Sequence, residues 1–206
     1  MLDLSRKLED KLYIGPDVYN LDLSFDKVLK IFELWEDDEI PNHVKPHLSL
    51  KMMSSEAFEK HFKEMPIEEV YEIFEEIFDE HINLQSSSSQ DVEYDLAGNV
   101  MSTSISGGPE QKLFNIRFDG EYIFASFMQA YGINLFKVQG ELHWKEFNAL
   151  LAGLPEGTKF VEVVRIRGYE PQKGDSDEYK RKMRKLQKDY ALPNQEIEEE
   201  ELWEGG

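Results

Sequence analysis

The chain of 206 residues contains no cysteine, which removes disulfides, thiolate nucleophiles and thiolate metal sites from consideration. Positive charge is scarce: 23 Lys and Arg stand against 42 Asp and Glu, a formal net charge of −19. Such a surface keeps a chain soluble, repels nucleic acid and anionic membranes, and favours basic partners. No stretch approaches the ~20 apolar residues of a membrane helix, and the opening MLDLSRKLEDKLYIGPD lacks the apolar run of a signal peptide. The chain therefore reads as cytosolic, with no membrane partner. There is no Gly-rich phosphate loop with its Lys, no GxSxG and no HExxH. The expectation is a protein that is not an enzyme and carries no cofactor.

Metal ligation finds little support. His43 and His47 are spaced for one helical face, but Pro46 lies between them and no carboxylate follows at ligand spacing; they read as surface histidines. The run Asp37-Asp38-Glu39 lacks the alternating oxygens and central Gly of a calcium loop.

What the chain does contain is apolar periodicity. At 40% hydrophobic residues it can build a core, and the densest stretch is 142–167, LHWKEFNALLAGLPEGTKFVEVVRIR. Read in order, Lys11 to Leu23 suggests a β-hairpin turning at Gly15-Pro16-Asp17, with Leu12, Ile14, Val18, Leu21 and Leu23 as its apolar positions. Ser24 reads as an N-cap for a helix with Phe25, Val28, Leu29, Phe32 and Trp35 or Leu34 on one face, stopped by Glu36 to Glu39 and Pro41. Two short helices, 44–53 and 55–62, come next. Pro66 then opens a strongly amphipathic helix, whose stripe of Ile67, Val70, Tyr71, Phe74, Ile77, Phe78 and Ile82 opposes Glu68, Glu69, Glu72, Glu75, Glu76 and Asp79. Residues 85–111 are rich in Ser and Gly and read as a flexible linker, with a short hairpin around Tyr94 to Val100 turning on Gly98-Asn99.

Beyond the linker, Asp119 reads as the cap of a densely apolar helix that ends at Gly132, and a second helix, 141–152, should pack on it. Phe127, Tyr131, Trp144, Phe147, Leu150, Leu151 and Phe160 are the expected structural anchors of this part. Trp144 reads as core, with an exposed interaction hot spot as the competing reading. Thr158 to Arg167 is ambiguous: its β-branched alternation suits a strand, while Phe160, Val163, Val164 and Arg167 share a helical face. Asp175 and Ser176 can cap a last helix, in which Lys180, Arg181, Lys182, Arg184, Lys185 and Lys188 form a basic segment above a thin stripe of Tyr179, Met183, Leu186 and Tyr190. The first five of those cations are the candidate partner-binding residues. Residues 193–206 form an acidic tail that reads as disordered. The organisation expected is mainly α: an N-terminal hairpin plus helical lobe (1–84), a linker (85–111), a C-terminal helical lobe (112–192) and the tail (193–206).

One set of spaced elements carries a resemblance. Phe127, Tyr131-Gly132-Ile133-Asn134-Leu135, Leu142-His143-Trp144-Lys145 with Phe147, Leu150 and Leu151, Leu154-Pro155, Thr158-Lys159-Phe160, Arg167 and Tyr190-Ala191-Leu192-Pro193 occur in an order that resembles the bacteriophage gene product fifteen family of long-tailed phages of Gram-positive bacteria. The N-terminal part also fits, with its hairpin and a helix ending in Glu33-Leu34 and Glu36-Asp37. The linker is longer than in common members. The resemblance implies a largely helical protein, which tips 158–167 toward helix. It also implies a tail assembly chaperone that binds the tape measure protein in the host bacterial cytoplasm, self-associates or pairs with a second tail chaperone, and is absent from the mature virion. Competing readings are a structural tail or connector component, and a regulatory or nucleic-acid-binding protein acting through the basic helix. The net negative charge disfavours the last.

Overall fold

A computed structural model describes residues 4–83, 93, 94, 100, 101 and 113–193. Among these residues the fold is mainly helical. A two-stranded antiparallel hairpin, β1 (Lys11–Ile14) and β2 (Asp17–Asn20), leads into α1 (Phe25–Glu36), α2 (Lys45–Met53) and α3 (Ser55–Ala57), which runs on into a π-helical turn, Phe58–Phe62. Then α4 (Ile67–Ile77) also ends in a π-helical turn, Phe78–Ile82. A second minimal hairpin, β3 (Glu93–Tyr94) with β4 (Val100–Met101), stands where the sequence suggests one, and the rest of the expected linker lies outside the described residues. The C-terminal part comprises α5 (Gly120–Tyr131), α6 (Trp144–Ala152), α7 (Lys159–Arg167) and α8 (Asp177–Asp189). The expected disordered tail also lies outside the described residues, save Pro193.

The first hairpin pairs Lys11 with Asn20 and Ile14 with Asp17, leaving Gly15 and Pro16 as a two-residue loop, tighter than the sequence suggests. Gly15 has φ +57°, as the first position of a tight hairpin turn requires. This register points Leu12, Ile14 and Tyr19 inward, and puts Tyr13 opposite Val18 on the outside. Val18, expected among the apolar positions, is thus exposed, and Tyr19 takes its place: side chains alternate across a strand, so register alone decides which set is buried.

Caps also depart from the sequence reading. Ser24 does precede α1, but its hydroxyl donates to the Asp22 carboxylate (2.9 Å) and caps no amide. His143 caps α6, so this helix starts at Trp144 and not at residue 141: the His143 ring accepts from the Lys145 N–H (3.0 Å), while the Glu146 carboxylate accepts from the His143 N–H (3.2 Å). This reciprocal pair satisfies amides that the first turn leaves open, with His in the place usually taken by Ser or Thr. Gly132 closes α5 in the left-handed conformation, φ +67°. The stretch 158–167 is helical, with Phe160, Val163 and Arg167 buried and Val164 at the margin.

Side chains from both stretches expected as separate lobes meet in a common core. Aromatic rings run through it in contact. Trp35 stacks on Phe74 (5.1 Å between centroids), Phe74 meets Phe78, Phe78 meets Phe32, and Phe32 stands edge-on to Trp144 (5.5 Å). Trp144 stacks on Phe147, which also stacks on Phe25 (5.1 Å) and Phe127 (5.3 Å). Backbone bonds cross the same seam: Trp144 N–H donates to Leu23 O (2.8 Å) and Phe25 N–H to Leu142 O (2.9 Å). Trp144 is 0% exposed, and its indole N–H donates to Ile82 O at 2.9 Å.

A buried ion pair closes the C-terminal part. Asp119 turns its carboxylate away from the capping role the sequence suggests and accepts both terminal nitrogens of Arg167 at 2.7 Å. The same guanidinium donates to Leu113 O (3.1 Å) and Tyr190 O (2.6 Å), so α5, α7, the chain entering α5 and the end of α8 converge on one residue.

Trp144→Ala should lower unfolding free energy by about 3–5 kcal/mol, as expected for emptying a buried aromatic site. Denaturant titration checks this, and an unchanged midpoint would show that Trp144 is not the anchor. Arg167→Met should cost about 3–5 kcal/mol by leaving Asp119 charged and unpaired; Asp119→Asn with Arg167→Met together should cost less than the sum, measured by a double-mutant cycle.

Candidate partner-binding surfaces

Besides the Asp119–Arg167 pair, the described side chains form a second inward cluster and three outward faces. The inward cluster centres on Asp10, just before β1 and 7% exposed. His81, in the π-helical turn after α4, contacts it through Nδ1 (2.7 Å), His143 contacts it through Nε2, and the Lys145 ammonium lies 3.3 Å away. The Asp10 carbonyl accepts from Leu21 N–H (2.8 Å), which ties β1 to the chain leaving β2. Because His143 Nδ1 accepts an amide N–H, its ring proton sits on Nε2 and is donated to Asp10. Burial opposes the charge on Asp10, but the hydrogen bonds from His143 and His81 and the charge of Lys145 outweigh it and hold the carboxyl well below its ordinary range.

Two histidines and a carboxylate invite comparison with a metal centre. Here each imidazole turns one nitrogen to a different Asp10 oxygen, and among the described residues no group of three or more His, Cys, Asp or Glu is arranged to hold a metal. The cluster pins the N-terminal segment to the ends of α4 and α6. His43 is exposed, and His47 stands edge-on to Phe58 (6.2 Å).

The first outward face is apolar. Phe136 is 72% exposed beside buried Leu135. Its N–H donates to the Asn134 side chain (3.1 Å), a local turn that aims Leu135 inward and Phe136 outward. The Phe136 ring touches Phe124 of α5 (5.3 Å), and Met128 follows one turn along the same helix, 42% exposed. Together they form a ledge of two rings and a thioether, the flexible apolar surface that suits helices of varied sequence. The sequence marks α5 as apolar all round but carries no signal for the outward turn of Phe136.

The second face is acidic: Glu68, Glu69, Glu72, Glu75 and Glu76 point to solvent from α4, and Asp79 from the π-helical turn that follows it. The third is basic: on α8, Arg181, Lys182, Arg184 and Lys185 are exposed and Lys180 is half-buried. Those five are the candidate partner-binding residues, and all lie on α8. Of the expected anchors, Trp144, Phe147, Phe127, Leu151 and Phe160 are buried, while Leu150 and Tyr131 are half-buried, joined by a bond from the Tyr131 hydroxyl to Leu150 O (2.9 Å).

The comparisons with known proteins bear on the whole of this architecture. Residues 8–192 match the family model described as Bacteriophage Gp15 protein. The chain belongs to that family. The matched span runs from the Asp10 segment through α8 to buried Leu192 and leaves out the acidic tail. Members of this family are phage structural or assembly-related proteins, and this protein is one. No curated protein and no solved structure matches the chain. Among the described residues, no helix of this Gp15 protein is long and apolar enough to cross a membrane.

A carboxyl titrating below its unfolded value stabilises the fold at all pH above that value, near 3.9, and loses this contribution as pH falls through the lower, folded value. Acid unfolding of the wild-type protein should therefore steepen below about pH 4. Asp10→Asn should be less stable at neutral pH and should show a shallower decline on acidification. Denaturant midpoints measured across pH check both, and parallel profiles for the two proteins would remove Asp10 from this role.

Proposed function

We propose that this protein is a non-enzymatic tail assembly chaperone, which binds and solubilises the tape measure protein in the host cytoplasm and is absent from the finished virion. The family match over residues 8–192 carries the reading. The ledge of Phe124, Met128 and Phe136 supplies an apolar surface of the kind a holdase needs, and the net charge of −19 keeps its complexes in solution. The ionisable cluster at Asp10 is committed inward and plays no part in binding. Self-association, or pairing with a second tail chaperone, would multiply such ledges along a long client helix.

Co-expression with the tape measure protein of the same phage tests the proposal. The expected outcome is a rise in soluble tape measure protein and its recovery with the chaperone. Met128→Ser with Phe136→Ser should abolish most of that rise while shifting stability by no more than about 0.5 kcal/mol per exposed site. Tape measure solubility indifferent to the wild-type protein would sink the idea. Stoichiometric recovery of the chain from purified virions by mass spectrometry would instead favour a structural tail or connector component.

A further inference from the structure

On the basic face of α8, Lys182 and Lys185 carry charge that the described neighbourhood does not pair. One side of the helix holds it in place. Met183 is buried, Gln187 donates to Arg167 O (3.2 Å) and Tyr169 O (2.9 Å), Tyr179 meets Tyr169 edge-on, and Lys159 lies over the Tyr190 ring at 4.3 Å. Arg181, Lys185 and Lys188, spaced four and three apart, form a stripe on the side turned away from Met183 and are exposed, with Lys182 and Arg184 flanking it. Among the described residues, neither Lys182 nor Lys185 has a carboxylate partner. In a chain of net charge −19 this is a local inversion of sign.

The same chain holds the complementary charge at the point nearest to hand. Leu192, buried, anchors the backbone just past α8, and the run of acidic residues begins four residues later: Glu196, Glu198, Glu199, Glu200, Glu201 and Glu204. Extended, residues 194–206 span at most about 45 Å, whereas the 13 residues of α8 rise over about 20 Å. A tail doubling back at Pro193 therefore reaches the whole stripe. A short tether also presents the tail at an effective concentration on the order of millimolar, which exceeds what a second copy supplies in dilute solution.

We propose that residues 194–206 dock in cis along the exposed basic face of α8, with the glutamate run 198–201 against Arg181, Lys182, Lys185 and Lys188. The tail then acts as an internal competitor: an anionic molecule or acidic partner gains α8 only by displacing it. The proposal is independent of the chaperone reading, because it rests on the charge and reach of this chain alone.

The absence of cysteine makes the test direct. Gly205→Cys in the full chain takes a single spin label, and amide signals report its proximity. The expected result is broadening centred on 181–188, stronger than in the same labelled protein carrying Glu198→Gln, Glu199→Gln, Glu200→Gln and Glu201→Gln, and reduced to that lower level at about 1 M salt, where screening acts within about 3 Å. Equal broadening in the two proteins at low salt would overturn docking. Broadening that appears only when labelled chains are mixed with isotope-enriched, unlabelled ones would place the tail on a second copy and overturn the cis arrangement. Heparin retention supplies a second readout. The four tail substitutions should increase it more than Glu68→Gln, Glu72→Gln, Glu75→Gln and Glu76→Gln, which change net charge equally but leave α8 covered. Equal increases would count against the proposal.

Discussion

Trp144 is the residue on which the two ends of the chain agree. Its indole fills the centre of the core, its ring N–H satisfies the last turn after α4, and its backbone N–H satisfies the segment entering α1. A large aromatic with one polar atom can be fully buried only if that atom finds a partner. Here the partner is Ile82 O, sixty-two residues away in sequence. The requirement positions α6 against the end of α4, and the ring contacts from Phe147 to Phe25 and Phe127 carry that placement into both halves of the molecule.

Two buried carboxylates extend the same logic to polar groups. Asp10 and Asp119 each sit at the start of an element, and each is satisfied by side chains distant in sequence: His81, His143 and Lys145 for the first, Arg167 for the second. A buried charge without partners is costly, so each cluster admits few alternative arrangements. Such clusters contribute specificity of placement more surely than net stability. They also commit His81, His143, Asp10 and Asp119, residue types suited to chemistry, to holding the fold.

With those groups turned inward, the outward faces are simple in kind: an apolar ledge on α5 and the loop after it, an acidic α4 and a basic α8. In this phage structural or assembly-related protein, α4 and α8 thus present surfaces of opposite sign.

Much of the helical framework was legible in the residues. The 3.6-residue period of Val70, Phe74 and Ile77 opposite a row of glutamates allows only an amphipathic helix, and Gly132 marks the end of α5 because glycine tolerates the left-handed conformation found there. Local patterns of this kind depend on neighbours a turn away. The ambiguous 158–167 did not yield to that reasoning, since β-branched residues suit a strand; Phe160 and Val163 settle as helix because their burial against the rest of the core outweighs propensity. Register was equally hidden: Tyr19 and Val18 exchange roles with a shift of one residue. The partners of Asp10, Asp119 and Trp144 could not be read at all, because a hydrogen bond between residues 10 and 143 leaves no local trace in the sequence. Sequence by itself determined most of the helical segments, 158–167 excepted, and where charge collects. Tertiary packing decided which polar groups meet and which aromatic, Trp144 or Phe136, is hidden or shown, because burial is a property of the assembled core and not of the segment.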